Sequence, residues 1–183
     1  PGTTSVHVLS VRNECKELLF VVERETDGRE PSVRCINFGL DGMQSFSFTL
    51  EEERRAVLVP AGQVGTYLYE PNASVLKAGA FKQIAVRTGV KKLQVNSHLY
   101  TSDHLVSDFP GRRFRVDEVL SFTGKLCKGL SKTIPQANIT VRNFPLSVEE
   151  LRKRTKITDG GHVYLFATTL VDGEKVLVKC SKA

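Results

Sequence analysis

The C-terminal part of the chain alternates between strand-forming and helix-forming stretches, and this alternation limits the folds that are open to it. RRFRVDEVLSF (112–122) and NITVRNF (138–144) are typical of strands, and the basic stretch TGKLCKGLSK (123–132) between them predicts a short helix. A second helix follows, and then two strands joined by a tight turn at Asp172-Gly173. The order β-α-β-α-β-β predicts a layered α+β sandwich with helices against one sheet face.

The second helix of this region, VEELRKRTK, has a strong start signal. Ser147 is placed as its N-cap, and Glu150 completes a capping box. Val148 and Leu151 are spaced to face the sheet, while the last residues are almost all basic: Arg152, Lys153, Arg154 and Lys156. The helix dipole favours acids at the start and bases at the end, which explains the order of these charges but not their number.

The first fifty residues predict a sheet. Their strand-forming stretches are SVHVLSV (5–11), ELLFVVERE (17–25), SVRCINFG (32–39) and SFSFTL (45–50). Turn chemistry separates them at Asp27-Gly28 and in GLDGM (39–43). We expect a β-meander that forms one piece of a larger sheet.

The middle of the chain predicts one helix and two further strands. Asn72 is placed as an N-cap, and the apolar residues Val75, Leu76, Ala80 and Ile84 lie on one face of a helix that runs to about Arg87 and ends at Gly89. KKLQV and HLYTS then favour strands. Asp-Phe-Pro-Gly is a strong turn signal and predicts a domain boundary near residue 110.

Positive charge is concentrated in the same C-terminal part. The chain has a net charge of +6, and residues 110–183 carry fourteen Lys or Arg against seven Asp or Glu. A concentrated basic excess is the electrostatic signature of a surface for an anion, most often nucleic acid. The alternative is a solvated Lys/Arg face that only aids solubility.

Arginine is well suited to phosphate because its planar fork can bind two oxygens. The candidate RNA-binding residues are Arg112, Arg113, Arg115, Arg142, Arg152, Lys153, Arg154 and Lys156. Phe114, Phe144 and Tyr164 are interleaved with them and could stack on bases. Alternation places Phe114 opposite its two arginine neighbours, which favours the core for this ring.

No catalytic residue and no metal site is predicted. VLVPAGQVGTYLYE resembles a nucleotide-binding turn, but Glu70 follows Gly65 too closely and no helix separates them. His98, Asp103, His104 and Asp108 are typical of a solvated loop, so a metal is the weaker interpretation.

The four cysteines are scattered, which favours a reducing, cytoplasmic setting, and the chain has no apolar run long enough for a membrane span. It begins without Met, which we interpret as processing or a fragment of something longer.

Several long phrases resemble a known family. YLYEPNASVLKAGAF, NSHLYTSDHLVSDFPGRRF, ANITVRNFPLSVEELRKRTK and DGGHVYLFATTLVDGEKVL are similar to the C-terminal part of bacterial class I SAM-dependent methyltransferases of the THUMP-like type. SVRNECKELLF resembles the closing strands of the catalytic domain in that family. The resemblance implies a β-rich end of a catalytic domain at 1–66, a ferredoxin-like domain at 67–109 and a THUMP-like domain at 110–183.

The resemblance also implies a function. THUMP-type domains are RNA-binding modules that present RNA to an attached modifying domain, so the expected partners are tRNA or rRNA and the catalytic domain of the parent enzyme. The Gly-rich SAM loop and the NPPY- or DPxR-type catalytic turn of the family are absent from this sequence. SAM is therefore expected for the parent and not for this chain. The alternative is a structural module that docks on the catalytic domain, or forms a homodimer, without touching nucleic acid.

Overall fold

The computed structural model describes residues 1–26, 28–40 and 42–183. The turns predicted at Asp27-Gly28 and at 39–43 each contain one residue outside these ranges. The strands are β1 (Gly2–Val11), β2 (Glu14–Glu23), β3 (Ser32–Gly39), β4 (Gly42–Thr49), β5 (Tyr67–Pro71), β6 (Lys91–Lys92), β7 (Tyr100–Ser102), β8 (Gly111–Ser121), β9 (Asn138–Val141), β10 (Tyr164–Thr169) and β11 (Lys175–Lys182). The helices are α1 (Leu50–Arg55), α2 (Ala73–Ala78), α3 (Gln83–Thr88), α4 (Gly124–Thr133) and α5 (Val148–Thr155). The predicted α+β class is confirmed.

The chain divides into two compact units, each built from several segments. Unit 1 comprises residues 1–58, 70–90 and 108–112. Unit 2 comprises residues 59–69, 91–107 and 113–183.

The sheet of unit 1 has the order β2-β1-β3-β4. β1 pairs antiparallel with β2 and parallel with β3, and β3 pairs antiparallel with β4. The predicted β-meander is therefore wrong, although all four strands are present. Alternation fixes which residues share a face but not which strand lies beside which, and the connection from β2 to β3 is long enough to cross over β1.

One face of this sheet forms the core of unit 1. Alternate residues of three strands, Val8, Val33, Cys35, Phe46 and Phe48, are buried. α2 packs against β1, β2 and β3 and buries Val75. Burial raises the pKa of the Cys35 thiol to about 12, so this cysteine is a small neutral core side chain.

The single helix predicted from Asn72 to about Arg87 is two helices. α2 ends at Gly79, which is in the left-handed conformation with φ 78, and α3 starts after Lys82. The side chain of Lys82 does not cap α3. The carboxylate of Glu53 instead accepts hydrogen bonds from the backbone N–H groups of Lys82 and Gln83, at 2.9 and 2.8 Å. A cap supplied by a distant residue leaves no local sequence signal.

Glu53 belongs to α1, a helix that the sequence analysis missed. Thr49 caps α1, and Glu52 completes a capping box with it. This is the same signal that correctly located α5, so T-L-E-E was available at the sequence level. The strand prediction for SFSFTL obscured it.

The predicted N-cap at Asn72 is confirmed and makes a testable contribution to stability. Its buried side chain accepts hydrogen bonds from Val75 N and Ser74 Oγ, at 3.2 and 2.7 Å, and donates to Gln44 Oε1 at 3.0 Å. We expect Asn72→Ala to lower the free energy of unfolding by about 2 kcal/mol. Urea unfolding measures this. Asn72→Asp keeps the two accepted bonds and should lose less, and equal losses in the two variants would contradict the capping role.

Unit 2 contains a seven-stranded sheet with the order β6-β7-β5-β8-β11-β10-β9. The predicted order β8-α4-β9-α5-β10-β11 along the chain is confirmed. β11 is antiparallel to both β8 and β10, and β9 is parallel to β10. Each strand between β6 and β9 in this order therefore pairs with a neighbouring strand on both of its edges.

Buried side chains lie on both faces of this sheet. On one face Phe114, Phe166 and Val178 pack with Leu68 and Leu99. On the other face Leu165, Ala167 and Leu177 pack against residues of both helices: Leu130 and Ile134 near α4, and Leu151 in α5. Since α4 and α5 lie on the same sheet face, their outer faces form one layer that is open to solvent.

Candidate nucleic-acid interface

The C-terminal half of α5 presents cations to solvent. Ser147 Oγ accepts a hydrogen bond from Glu150 N at 3.2 Å, and the Glu150 carboxylate accepts one from Ser147 N at 2.7 Å. This predicted capping box sets the start of the helix, and the register then buries Leu151 and Thr155. Because those two residues face inward, the next cations along the helix must face outward. They are Lys153 and Arg154, and Lys156 follows at the C-cap; all three are exposed.

Arg152 is on the same helix but is used within the fold. Its guanidinium forms an ion pair with Asp159 and donates hydrogen bonds to the carbonyl oxygens of Ile157 and Ala137, both at 3.3 Å. The side chain is only 22% exposed. This arginine fixes the segment that leads out of α5 and has few donors left for a ligand.

The arginines at the start of β8 differ from one another. Arg112 forms an ion pair with the buried carboxylate of Glu70, with Nε 2.8 Å from Oε2. Arg113 donates a hydrogen bond to the carbonyl oxygen of Ser107. Arg115 is exposed and has no ion pair with any residue that the structure describes. Arg115 is thus the arginine of this group whose charge is open to solvent.

Arg142 follows β9, and its charge acts on His98, a histidine beside a buried lysine. Lys92 is 2% exposed, and its Nζ donates to the carbonyl oxygen of Val95 at 2.7 Å and lies 3.4 Å from His98 Nδ1. The pKa of His98 is lowered by burial and by the charges of Lys92 and Arg142. Arg142 therefore contributes to the positive potential around this histidine.

This environment predicts a pH dependence of stability. Because the pKa of His98 in the folded chain lies below 6.5, the unfolded chain binds the proton more readily, and stability should fall as the pH drops below 6.5. His98→Asn suits the backbone, whose φ at this residue is 51, and removes the titrating group. We expect the difference in unfolding free energy between wild type and variant to change between about pH 8 and about pH 5. A constant difference in urea unfolding at the two pH values would contradict this.

α4 carries cations that the sequence analysis did not select. Lys125, Lys128 and Lys132 are exposed and recur at i, i+3 and i+7, on the side opposite the buried residues Cys127 and Leu130. None of the three lysines has an ion pair with a described residue. The spacing is visible in KLCKGLSK, so a helical projection of the predicted helix could have found this stripe.

The two helices bring their charges to one surface. α4 and α5 pack against each other. Burial raises the pKa of the Cys127 thiol on α4, and the charge of Arg154 on α5 acts in the opposite direction. We call this surface the basic helix pair; it comprises Lys125, Lys128, Lys132, Lys153, Arg154 and Lys156.

The helix dipole does not account for the charges on α4. In α5 the acids Glu149 and Glu150 lie in the first turn and the bases in the last, as the dipole favours. In α4 the first turn has no acid and instead contains Lys125, which the dipole disfavours. A cation held where it weakens its own helix points to a role outside the helix.

The aromatic side chains near these cations pack mostly against one another. Phe114 is 1% exposed, as predicted, and its ring centroid lies 4.9 Å from those of Tyr164 and Phe166. Phe122 and Phe144 form a perpendicular pair, also at 4.9 Å, against the core beneath the helices. These rings pack within the domain and stabilise it.

Comparison with known proteins identifies both C-terminal regions. Residues 67–110 match the family model of a ferredoxin-like domain, and residues 111–182 match that of a THUMP domain-like family. The chain therefore contains a ferredoxin-like domain followed by a THUMP-like domain. The basic helix pair lies wholly within the THUMP-like domain.

A solved structure is similar over nearly the whole chain. It is the "Crystal structure of putative methyltransferase from Porphyromonas gingivalis W83", with 43% sequence identity and a TM-score of 0.91. The match covers 99% of this chain and 46% of that chain, so the present chain spans about half the length of this relative. No curated protein gave a match.

The turn at Gly62–Gly65 does not have the arrangement of a nucleotide-binding loop. The Gly62–Gly65 turn leads into β5 and not into a helix. The carboxylate of Glu70 forms an ion pair with Arg112. Neither feature fits a SAM-binding loop, which uses a helix N-terminus to hold its ligand. The described residues contain no group of three or more His, Cys, Asp or Glu placed to hold a metal ion. None of their helices is long and apolar enough to cross a bilayer.

Proposed function

We propose that this chain is the RNA-recognition part of a SAM-dependent methyltransferase of the reducing cytoplasm. The THUMP-like domain contacts the phosphates of tRNA or rRNA through the basic helix pair, and the bound RNA is presented to the methyltransferase domain. SAM belongs to that catalytic domain. The unbridged cysteines, of which Cys35, Cys127 and Cys180 are buried, support the reducing setting.

The observation that carries this proposal is the pair of helices with six exposed cations on one layer. Like charges concentrated on one layer repel one another and lower the stability of the fold unless anions neutralise them. A phosphate chain supplies such anions at regular spacing. The similarity to a methyltransferase structure and the match to a THUMP-like family support the same function.

The eight cations predicted from the sequence have different roles in this proposal. Lys153, Arg154 and Lys156 contact phosphate together with the α4 lysines. Arg115 and Arg142 extend the positive potential beyond the helices. Arg112, Arg113 and Arg152 position neighbouring segments through the contacts described above and add charge without direct binding.

The test is the salt dependence of RNA binding. Fluorescence polarisation with labelled tRNA and rRNA fragments should give log K against log salt a slope of about −4 to −5, because six neutralised phosphates release their counterions. Raising the salt from about 50 mM to about 200 mM should then weaken binding several-hundredfold. Binding that is independent of salt, or no binding at low salt, would overturn the RNA contact.

The alternative function is a structural docking or dimerisation module of the same enzyme with no direct nucleic-acid contact. One feature of unit 1 favours docking for that part of the chain: β2 is an edge strand, and its apolar residues Leu18–Val22 are all exposed. Docking by unit 1 is compatible with RNA binding by the THUMP-like domain.

A further inference from the structure

One buried hydroxyl in the THUMP-like domain lacks a hydrogen-bond partner. Thr168 of β10 is 0% exposed, and its Oγ1 atom makes no hydrogen bond with any residue that the structure describes. A buried hydroxyl without a hydrogen bond lowers stability, so such groups are rare in native proteins. Valine would fill nearly the same space without this loss. The hydroxyl therefore points to a partner that the chain itself does not supply.

Arg142 lies beside Thr168 on the same face of the sheet. The backbone N–H of Arg142 donates to the carbonyl oxygen of Ala167 at 2.9 Å, which continues the parallel pairing of Val141 with Ala167 by one residue. Arg142 and Thr168 are therefore register partners, about 4.8 Å apart across the two strands. Val141 and Ala167 face the two helices, so alternation turns Arg142 and Thr168 to the opposite face. The end of β9 thus sets an arginine side chain next to the hydroxyl.

The loop between β6 and β7 brings a histidine to the same face. Leu93 and Leu99, at the two ends of this loop, belong to the same buried cluster as Phe166, which is two residues before Thr168 on β10. The N–H of Leu93 donates to the carbonyl oxygen of Leu99 at 2.9 Å and closes the loop. His98, the last residue before Leu99, is half-buried. The loop therefore lies over the sheet face that carries Thr168.

The buried lysine of this loop orients the imidazole of His98. Lys92 Nζ lies 3.4 Å from His98 Nδ1. An ammonium group can only donate, so Nδ1 accepts and the proton of the neutral ring is on Nε2. The pKa of His98 is lowered by burial and by the charges of Lys92 and Arg142, so the ring is neutral near pH 7. His98 therefore has one N–H donor, at Nε2, in a positive electrostatic environment.

We propose that Arg142, His98 and Thr168 bind a phosphate monoester on the sheet face opposite the basic helix pair. The planar fork of the guanidinium suits two phosphate oxygens, and the Thr168 hydroxyl and His98 Nε2–H donate to the third. A carboxylate has only two oxygens and would leave part of this donor set unused. The site is independent of the proposed RNA contact through α4 and α5.

The burial of Thr168 restricts the ligand to the end of a molecule. The phosphate enters as the half-buried side chain of Arg142 turns outward, a rotamer change of the kind that is common on binding. A phosphodiester within an RNA strand continues on both sides and does not fit at this depth, whereas a monoester has a single substituent. The ligand is therefore a terminal phosphate of RNA or a small phosphorylated compound.

The test is thermal unfolding of the chain with inorganic phosphate as the probe, at an ionic strength kept constant with sodium chloride. About 10 mM phosphate should raise the melting temperature by about 3 to 5 °C, as expected for a dissociation constant of about 1 mM. Arg142→Gln should remove most of this shift. Arg115→Gln, at an exposed arginine of the same sheet, is the matched control and should keep it. A wild-type chain that phosphate does not stabilise, or equal losses in the two variants, would overturn the site.

Thr168→Val provides a second readout with the opposite sign. Without phosphate, this variant should melt about 2 to 4 °C higher than the wild type, because it loses a buried hydroxyl that makes no hydrogen bond. Its affinity for phosphate should nevertheless fall about tenfold, because a hydrogen bond to a charged group is lost. A variant that melts lower than the wild type without phosphate would show that the hydroxyl stabilises the chain alone, and would overturn its assignment to a ligand.

NMR of the histidine rings locates the bound probe. Addition of phosphate at constant ionic strength should shift the ring signals of His98 and leave those of the exposed residues His104 and His162 in place. Equal shifts of all three rings would show a general effect of the anion on the surface and would overturn the site.

RNA oligonucleotides identify the source of the phosphate. A 5′- or 3′-terminal phosphate that strengthens binding at least tenfold in the wild type, and not in Arg142→Gln, upholds the site and identifies an RNA end as the ligand. Equal binding of oligonucleotides with and without terminal phosphates, together with the response to inorganic phosphate, upholds the site for a small phosphorylated compound. A terminal phosphate that acts equally in Arg142→Gln would overturn the proposal.

Discussion

Reversing the three lysines of α4, as Lys125→Glu, Lys128→Glu and Lys132→Glu together, is expected to weaken RNA binding at least tenfold and to flatten its salt dependence. The three side chains share one exposed helix face and have no ion pair with a described residue. Each phosphate contact that is lost lowers the magnitude of the log–log salt slope by about 0.7 to 0.9, so the slope should fall by about 2 to 3. Fluorescence polarisation at several salt concentrations measures both quantities.

The same substitutions separate binding from folding. Lys125 lies in the first turn of α4, where the helix dipole disfavours a cation and favours an acid. Lys125→Glu alone should therefore raise the stability of the chain slightly, by about 0.3 to 1 kcal/mol, while it weakens RNA binding. A variant that unfolded at lower urea concentration would show that Lys125 serves the fold, and the dipole argument would fail.

The control reverses the charge of three lysines that lie outside the basic helix pair. Lys77 on α2, Lys91 on β6 and Lys175 on β11 are exposed, and their combined reversal to Glu changes the net charge by the same amount. If binding depends only on total charge, both triple variants should lose affinity equally. We expect the control to lose much less, and equal losses would contradict the assignment of binding to the basic helix pair.

The sequence predicts local features of the fold well and neighbour relations poorly. The caps at Asn72 and Ser147 are confirmed because each depends on residues within three positions along the chain. The order of strands in unit 1 and the break between α2 and α3 depend on residues far apart. β3 lies beside β1, and the cap of α3 is Glu53, about thirty positions away. No local pattern encodes such contacts.

The same limit applies to the candidate interface. The sequence locates the basic region, since the charge count alone does so. It does not show which cations are free, because the partner of Arg112 is Glu70, 42 positions earlier, and the partners of Arg152 surround it only after folding. The lysine stripe of α4 is a different case, because its helical spacing is local.

Gly111→Ala is expected to be the most damaging small substitution in unit 1. A Cβ at residue 111 would lie 2.8 Å from Pro71 Cα and 2.9 Å from the carbonyl carbon of Glu70, with the Glu70 carbonyl oxygen closer still. All three atoms are backbone, so no side chain can move aside. The adjacent backbone is also held, because Asn72 N donates to the carbonyl oxygen of Pro110 at 3.0 Å.

Overpacking of this kind against backbone should lower the free energy of unfolding by about 3 kcal/mol, which corresponds to a melting temperature lower by about 6 to 12 °C. Gly129→Ala is the matched control. Gly129 lies in the interior of α4, has no atom within 4 Å of the position of its Cβ, and should gain about 0.5 to 1 kcal/mol from the higher helix propensity of alanine. Because the same methyl group is added in both variants, opposite signs in thermal unfolding isolate the close approach of the two backbones at residue 111. A Gly111→Ala chain that melts within about 2 °C of the wild type, a shift too small for a loss of this size, would show that the backbone there can separate without loss of stability.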